Sequence, residues 1–454
     1  MDEREQRAHP ALGSIFKAYD IRGIYPDQID EIAARHIGGA FAEFVGAPTV
    51  LVGRDCRDSS PALTAAFIDG VTARGTGVVD IGLATTDMVY FASGSLDMPG
   101  AMFTASHNPP AYNGLKLCRE GAAPIGEDSG LMQVRDLAGR EPPAPAVSRG
   151  RVEERSMVEP YIEHVLSFVD PGRIAPITVV ADAANGMAGL VLEPIFDRLP
   201  AKLVGLYLEL DGTFPNHPAD PIQPENQADL KRAVVEHGAD VGLAFDGDAD
   251  RVFLVDERAE GVSGSLLVAL IAESMLEREQ GARILHNVIC SWVVPEVIRE
   301  HGGVPVRTRV GHSFIKKVMA ETGAIFGGEH SGHYYFRDHY RADSGLVAAL
   351  LVLQRLSEAG TRLSELLAPY RRYRDSGEIN TEVADPAQTT ERVARAFPDG
   401  RHDRLDGLTV EYDDWWFNVR PSNTEPLLRL NVEARTDELL RSGTERVLEV
   451  IRAG

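Results

Sequence analysis

Three stretches of the chain repeat one pattern, and that repeat constrains the fold more than any other feature. Each has an apolar, β-rich run, a polar or glycine-containing turn, a helical stretch and a second β-rich run. The opening runs are TVLVGRD (Thr49 to Asp55), ITVVADAANG (Ile177 to Gly186) and ARILHNVICS (Ala282 to Ser291). The helical stretches are ALTAAFIDGVTAR, LVLEPIFDRL and VVPEVIREHGG, and the closing runs are GTGVVDIG, KLVGLYLEL and VPVRTRVG. Strand, helix and strand in short succession form a βαβ unit, whose crossover makes the two strands parallel. Spread along 454 residues, about three times a typical domain, the three units imply three α/β domains of related design.

Composition marks the boundaries. GREPPAPAVSRG (Gly139 to Gly150) is rich in proline and glycine and suits a linker. Further junctions are expected near Asp256 to Gly261 and near Arg371 to Ser376. The expected division is therefore 1–150, 151–257, 258–370 and 371–454. The last piece reads differently, with a helical VARAF stretch, strands at TVEY, WWFNVR and LLRLNVEA, and a closing helix from about Asp437 to Ile451. It is α+β and partly antiparallel.

Charge narrows the partners. Forty-six basic and 68 acidic residues give a net charge of -22, a field that repels nucleic acid and anionic membrane. A small anion is compatible where bases gather, because screening confines the bulk field to roughly 8 Å. Cys56, Cys118 and Cys290 are odd in number and scattered, which speaks against disulfides or a zinc knuckle and for a reducing compartment. The opening MDEREQRAHP has no apolar stretch behind it, and the run Gly345 to Leu353 is far shorter than a membrane span. The expectation is a cytoplasmic protein with no membrane association.

Four segments carry chemistry. In VGLAFDGDADRVFLV (Val241 to Val255), Asp246, Asp248 and Asp250 alternate directly after an apolar strand. Carboxylates held close repel unless a cation compensates, and hard oxygen ligands in this number suit Mg²⁺. An EF-hand is excluded, since Arg251 stands where that loop needs glycine and strands replace the flanking helices. A haloacid-dehalogenase-like phosphatase with Asp246 as nucleophile stays open, although Asp250 stands where that family expects Thr or Val. In AMFTASHNPPAYNGLK (Ala101 to Lys116), the Asn-Pro-Pro after Ser106 and His107 enforces a loop. Ser106 can carry a phosphoryl group whose charge a nearby Mg²⁺ and Lys116 would neutralise. In GGEHSGHYYFRD (Gly327 to Asp338), Glu329, Ser331 and His333 suit the hydroxyls of a sugar, or form a plain polar loop. In NVRPSNTEPLLRL (Asn418 to Leu430), Arg420, Ser422, Asn423 and Thr424 make a phosphate cradle or a hairpin connection.

Taken together and in this order, TASHNPP, DGDADR, GEHSGH and RPSNTEP resemble the phosphoserine, metal, sugar and phosphate loops of the α-D-phosphohexomutase family. The resemblance runs from KAYDIRG (Lys17 to Gly23) to RPSNTEP, and within the family it is nearest the phosphomannomutase and phosphomannomutase/phosphoglucomutase branch. It implies three topologically similar mixed α/β domains plus a smaller C-terminal α+β domain around a central cleft, carrying the four loops in turn. It also implies an intramolecular phosphotransferase that interconverts mannose 6-phosphate and mannose 1-phosphate, with the glucose phosphates as a further pair. The implied cofactors are Mg²⁺ and a hexose 1,6-bisphosphate, and the implied partners are small hexose phosphates. Ser106 would be the phosphoryl carrier and a metal ligand with Asp246, Asp248 and Asp250, while His107, Lys116 and Arg22 would lie near the transferred group. Tyr19, Arg251, Arg309, His312, Glu329, Ser331 and His333 would bind substrate, and Arg420, Ser422, Asn423 and Thr424 the phosphate that is not reacting. Two departures bear on substrate choice: Arg309 and Val310 replace a frequent Lys-Thr, and His330 replaces Met or Gln. Phosphoglucosamine mutase, a sugar phosphatase and a non-enzymatic sugar-phosphate sensor are the competing readings.

Overall fold

The computed structural model describes residues 12–141, 144–421 and 427–453. Its first sheet is built from β1 (Ile21–Ile24), β2 (Thr49–Arg54), β3 (Gly77–Leu83), β4 (Gly100–Phe103), β5 (Tyr112–Cys118) and β6 (Val152–Glu154). Their order is β1-β5-β4-β2-β3-β6. β4, β2, β3 and β6 are parallel, while β5 runs antiparallel to β4 and β1 antiparallel to β5. The expected βαβ unit is present as β2, helix Ser60–Ala73 and β3. Pro61 opens that helix in its first turn, where a missing N–H costs nothing. β6 lies beyond the expected boundary at residue 150: after the linker the chain adds a three-residue charged edge strand beside β3. A strand so short and polar carries no readable alternation.

The second sheet contains β7 (Thr178–Asp182), β8 (Lys202–Leu206), β9 (Val241–Phe245), β10 (Val252–Asp256) and β11 (Gly261–Val262), in the order β11-β10-β9-β7-β8. β7 pairs in parallel with β8 and β9, and β10 returns antiparallel to β9. β9 and β10 are buried at every position, which is why they read as unbroken apolar runs. β12 (Arg283–Asn287) pairs in parallel with β13 (Val304–Thr308) and β14 (Phe326–Gly328), with helix Val293–Glu300 in the crossover.

The described residues form two compact units. One runs through Val262 and includes Ser331–Leu366; the other holds Ser263–His330 and the residues from Leu367 onward. Residues of the stretch 258–370 occur in both units. β15 (Tyr334–Phe336) and helix Gly345–Ala359 belong to the first unit, where the helix meets β10 and helix Val158–Leu166. Leu346 through Leu353 are all buried, and a helix apolar on every side needs more cover than one sheet face supplies.

The second unit ends in a sheet of β16 (Arg374–Glu382), β17 (Arg401–Asp403), β18 (Leu408–Glu411), β19 (Trp415–Pro421) and β20 (Leu427–Ala434). Its order is β16-β20-β19-β18-β17, and every pairing is antiparallel. Helices Pro386–Ala396 and Asp437–Arg452 pack on it through Val393 and Val447 against Phe417, Leu430 and their neighbours. In the same unit Glu433 accepts hydrogen bonds from Trp292 N and Trp416 Nε1, both at 2.9 Å. Burial pushes its carboxyl up to about 7. Among the described residues, no helix is long and apolar enough to cross a membrane.

Candidate active site

Parallel strands of an α/β sheet offer their carboxyl ends to ligands, and the chemistry-bearing residues of the first unit leave such ends. Asp55 and Arg57 follow β2, Thr86 follows β3, Ser106 follows β4 and Asp246 follows β9. Lys116 arrives on β5, opposite Met102. Ser106 is buried, with φ of 50°, and its N–H donates to Thr104 Oγ1 at 2.9 Å. Left-handed backbone at a non-glycine residue is held only when its surroundings fix it, and Arg57 supplies that restraint. This buried guanidinium donates to the carbonyls of Ser106 and Asn108 at 2.7 Å, Pro109 at 2.8 Å and Tyr112 at 3.1 Å. Its Nε pairs with Asp55 at 3.1 Å.

Ser106 Oγ donates to Asp246 Oδ2 at 2.7 Å. Arg251, expected to bind substrate, lies against this pair, donating through Nε to Asp246 Oδ2 at 3.0 Å and through Nη2 to Ser106 Oγ at 3.1 Å. It also donates to His107 Nδ1, and His107 Nδ1 is 3.4 Å from Ser106 Oγ. Lys116 Nζ donates to Asp248 Oδ2 at 2.7 Å and Asp250 Oδ2 at 2.5 Å. Its partners are thus these carboxylates. Thr86 holds Asp248 twice, through Oγ1 at 2.6 Å to the carboxylate and through its N–H at 3.0 Å to the carbonyl.

The electrostatics follow from burial and neighbours. Burial, with repulsion from Asp248 and Asp250, raises the Asp246 carboxyl well above the usual range. For Asp248 burial acts in the same direction, but Lys116 prevails and lowers it. Lys116 is likewise opposed by burial and raised overall by the two carboxylates. Burial, then the charges of Arg251 and Arg22, depress His107 well below the ordinary histidine range, so its ring is neutral at pH 7. One ligand atom from each of Asp246, Asp248 and Asp250 lies within 4.8 Å of the others. Asp248 Oδ1 and Asp250 Oδ1 are buried without a hydrogen bond. An all-oxygen group with unsatisfied, negatively charged atoms fits a hard divalent metal ion.

The remaining predicted residues fall in three places. Arg22, on β1, donates to Asn108 Oδ1 and Asp20 Oδ2, both at 2.5 Å, and so reaches the serine loop; Tyr19 is half-buried in the preceding bend. Ser331 Oγ is 3.1 Å from His333 Nδ1, in the first unit. In the second unit, Glu329 is buried and accepts from Asn287 Nδ2 at 3.0 Å and Gly311 N at 3.1 Å. Arg309 is exposed with its guanidinium 4.1 Å above the Phe314 ring, and His312 opens the helix ending at Thr322. Arg420 pairs with Glu378 at 3.0 Å, and Arg429, directly across the ladder, shares that carboxylate at 3.2 Å. Ser422, Asn423 and Thr424 lie outside the described residues. Sequence reasoning missed Arg57, Asp55, Thr86 and Arg429. The charged string GRDCRD at the end of β2 was the available signal for the first two.

Four descriptions of one family match the chain in order. "Phosphoglucomutase/phosphomannomutase, alpha/beta/alpha domain I" covers residues 13–137, domain II 159–261, domain III 263–373 and the C-terminal domain 378–450. The chain is 42% identical over 450 residues to a phosphomannomutase of Salmonella montevideo, covering 96% of this chain and 99% of that protein. It is 41% identical over 442 residues to a protein of Xanthomonas campestris pv. campestris described as phosphohexose mutases, covering 96% and 99%. The crystal structure of a phosphoglucomutase/phosphomannomutase family protein from Burkholderia thailandensis aligns with TM-score 0.86 and 35% identity over 97% of this chain and 98% of that one. The chain belongs to the phosphoglucomutase/phosphomannomutase family and is a phosphohexomutase, an isomerase-type phosphotransferase.

Proposed function

We propose that the chain interconverts mannose 6-phosphate and mannose 1-phosphate, with the glucose phosphates as a further pair, through phosphorylated Ser106 and a hexose 1,6-bisphosphate. The observation that carries this reading is the 2.7 Å hydrogen bond from Ser106 Oγ to Asp246 Oδ2, within a buried group that includes Asp248, Asp250, Lys116 and Arg251. The relatives named phosphomannomutase support the choice of mannose.

The phosphoryl group leaves Ser106 Oγ for the free hydroxyl of the hexose monophosphate: the bond from phosphorus to serine oxygen breaks, and one to the sugar oxygen forms. The proton that the sugar hydroxyl loses is balanced by the one that Ser106 Oγ gains as it becomes the free hydroxyl that donates to Asp246 Oδ2, and His107 lies beside that exchange, its Nδ1 held by Arg251. The bisphosphate turns end for end, and its other phosphoryl group returns to Ser106 Oγ, leaving the isomeric monophosphate. Arg251 orients Asp246 and the serine oxygen together, while Lys116 and Thr86 fix Asp248. Mg²⁺, when bound by Asp246, Asp248 and Asp250, supplies charge neutralisation to the transferring group. Tyr19, Arg309, His312, Glu329, Ser331 and His333 bind the sugar. Arg420, with Ser422, Asn423 and Thr424, holds the phosphate that is not reacting. The division at residues 150, 257 and 370 accompanies this reading, one recognition loop to each part.

Intact mass tests it. After incubation with a hexose 1,6-bisphosphate, the protein gains about 80 Da, one phosphoryl group, and Ser106→Ala gains nothing and loses mutase activity. Activity surviving in Ser106→Ala with release of inorganic phosphate would instead mark a phosphatase with Asp246 as nucleophile. Comparing mannose, glucose and glucosamine 1-phosphates fixes the sugar.

A further inference from the structure

Asp250 has two differently occupied oxygens. Oδ2 accepts from Lys116 at 2.5 Å, whereas Oδ1 is buried and carries no hydrogen bond. Around Oδ1 stand His333 Nε2 at 3.8 Å and Arg251 Nε at 3.9 Å, and His333 Nε2 is 4.0 Å from Asp343 Oδ2. One ligand atom from each of Asp250, His333 and Asp343 lies within 4.8 Å of the others. Asp250 and Asp343 are buried, and the His333 side chain is 19% exposed, which leaves an approach on the imidazole side.

This group differs chemically from the three carboxylates next to it. One imidazole and two carboxylates suit Zn²⁺ or Co²⁺, whereas an all-oxygen set suits Mg²⁺. Bonds of about 2.0–2.2 Å in a tetrahedron separate neighbouring ligand atoms by about 3.4 Å, close to the spacings observed. Ser331 Oγ lies 3.1 Å from His333 Nδ1, the ring nitrogen left over when Nε2 binds a metal, as an orienting partner requires.

We propose that Asp250, His333 and Asp343 form a transition-metal site that takes Zn²⁺ or a similar borderline divalent ion and shares Asp250 with the three-carboxylate group. Borderline and hard ions therefore exclude each other through Asp250, and Zn²⁺ antagonises Mg²⁺. The antagonism rests on the proposed Mg²⁺ role of the aspartates; Zn²⁺ ligation by His333 does not.

Zinc-edge X-ray absorption of the full chain loaded with one equivalent of ZnCl₂ tests the site without turnover. One imidazole among oxygen ligands is expected, and an all-oxygen shell overturns the proposal. Calorimetric titration with ZnCl₂ should show affinity falling roughly 10–100-fold or more in His333→Gln and in Asp343→Asn. Imidazole ligation or affinity unchanged in His333→Gln would also overturn it. MgCl₂ titration of Asp248→Asn separates the two readings: unchanged Mg²⁺ affinity there undoes the Mg²⁺ role alone and leaves zinc ligation standing.

Discussion

Gly247 meets the backbone of Ser106 at a distance that excludes any side chain: a Cβ on Gly247 would stand 2.5 Å from the Ser106 carbonyl oxygen. The serine loop leaves the first sheet and the aspartate loop the second, so the glycine sets how closely the hydroxyl approaches Asp246. On its other side, the Gly247 carbonyl accepts from Met187 N at 2.9 Å, which limits retreat.

Gly247→Ala should therefore separate Ser106 Oγ from Asp246. A displacement of about 1 Å costs on the order of 100-fold in rate, and the loss should appear in kcat. Initial rates with mannose 1-phosphate and Mg²⁺, alongside circular dichroism to verify folding, check this. An unchanged kcat would mean that the approach does not limit catalysis.

Arg57 satisfies four carbonyls and a buried carboxylate at once. Arg57→Ala strands Asp55 and the loop carbonyls, and breaking such a buried pair costs about 3–5 kcal/mol. Urea denaturation measures this as a lower midpoint. Arg57→Lys keeps the charge but not the planar fork, so it should recover part of the stability while kcat stays depressed.

Lys116→Met leaves Asp248 and Asp250 facing each other without their ammonium. The folded state holds Asp248 below its ordinary range and Lys116 above its own. Their contribution is present above the usual carboxylate range and below the usual lysine range, and is lost as pH leaves that window on either side. At neutral pH the variant should melt earlier than the native chain. Added MgCl₂ should raise its Tm more than it raises the native Tm. Equal Mg²⁺ shifts in the two proteins would contradict the placement of the cation.

Asp87 predicts a pH dependence of opposite sense. Its carboxyl is fully buried and accepts from Tyr161 Oη and Ser344 Oγ, both at 2.5 Å, and from Thr85 Oγ1. Burial pushes it up to about 7. A raised folded-state value makes its contribution greatest below about pH 4 and progressively lost as pH rises to about 7, by at most about 4 kcal/mol. Asp87→Asn cannot titrate, so its urea midpoint should vary less than that of the native chain between pH 5 and 8. Parallel pH profiles for the two proteins would disprove this.

The βαβ units and their strand directions were legible because buried parallel strands are continuous apolar runs, as in Val50 to Val52 and Leu243 to Phe245. The serine and aspartate loops were legible because loop-forming prolines and alternating acids leave compact local strings. Arg57 was not: its carbonyl partners lie 49 to 55 residues away, and only the fold turns a charged turn into a buried clamp. Thr86 reaches Asp248 across 162 residues for the same reason. Val152–Glu154 was too short and too polar to announce a strand. The reach of helix Gly345–Ala359 into the first unit was hidden as well, since uniform apolarity marks burial without naming the neighbour.

The chain has three tryptophans, Trp292, Trp415 and Trp416, and all belong to the second unit, two of them bonded to Glu433. Intrinsic tryptophan emission therefore watches that unit alone and is blind to the one holding Ser106, whereas far-ultraviolet ellipticity sums over both. Melting curves recorded by the two signals coincide if the units unfold together and separate if they do not. The native chain thus carries a built-in optical test of whether its two units are one cooperative system.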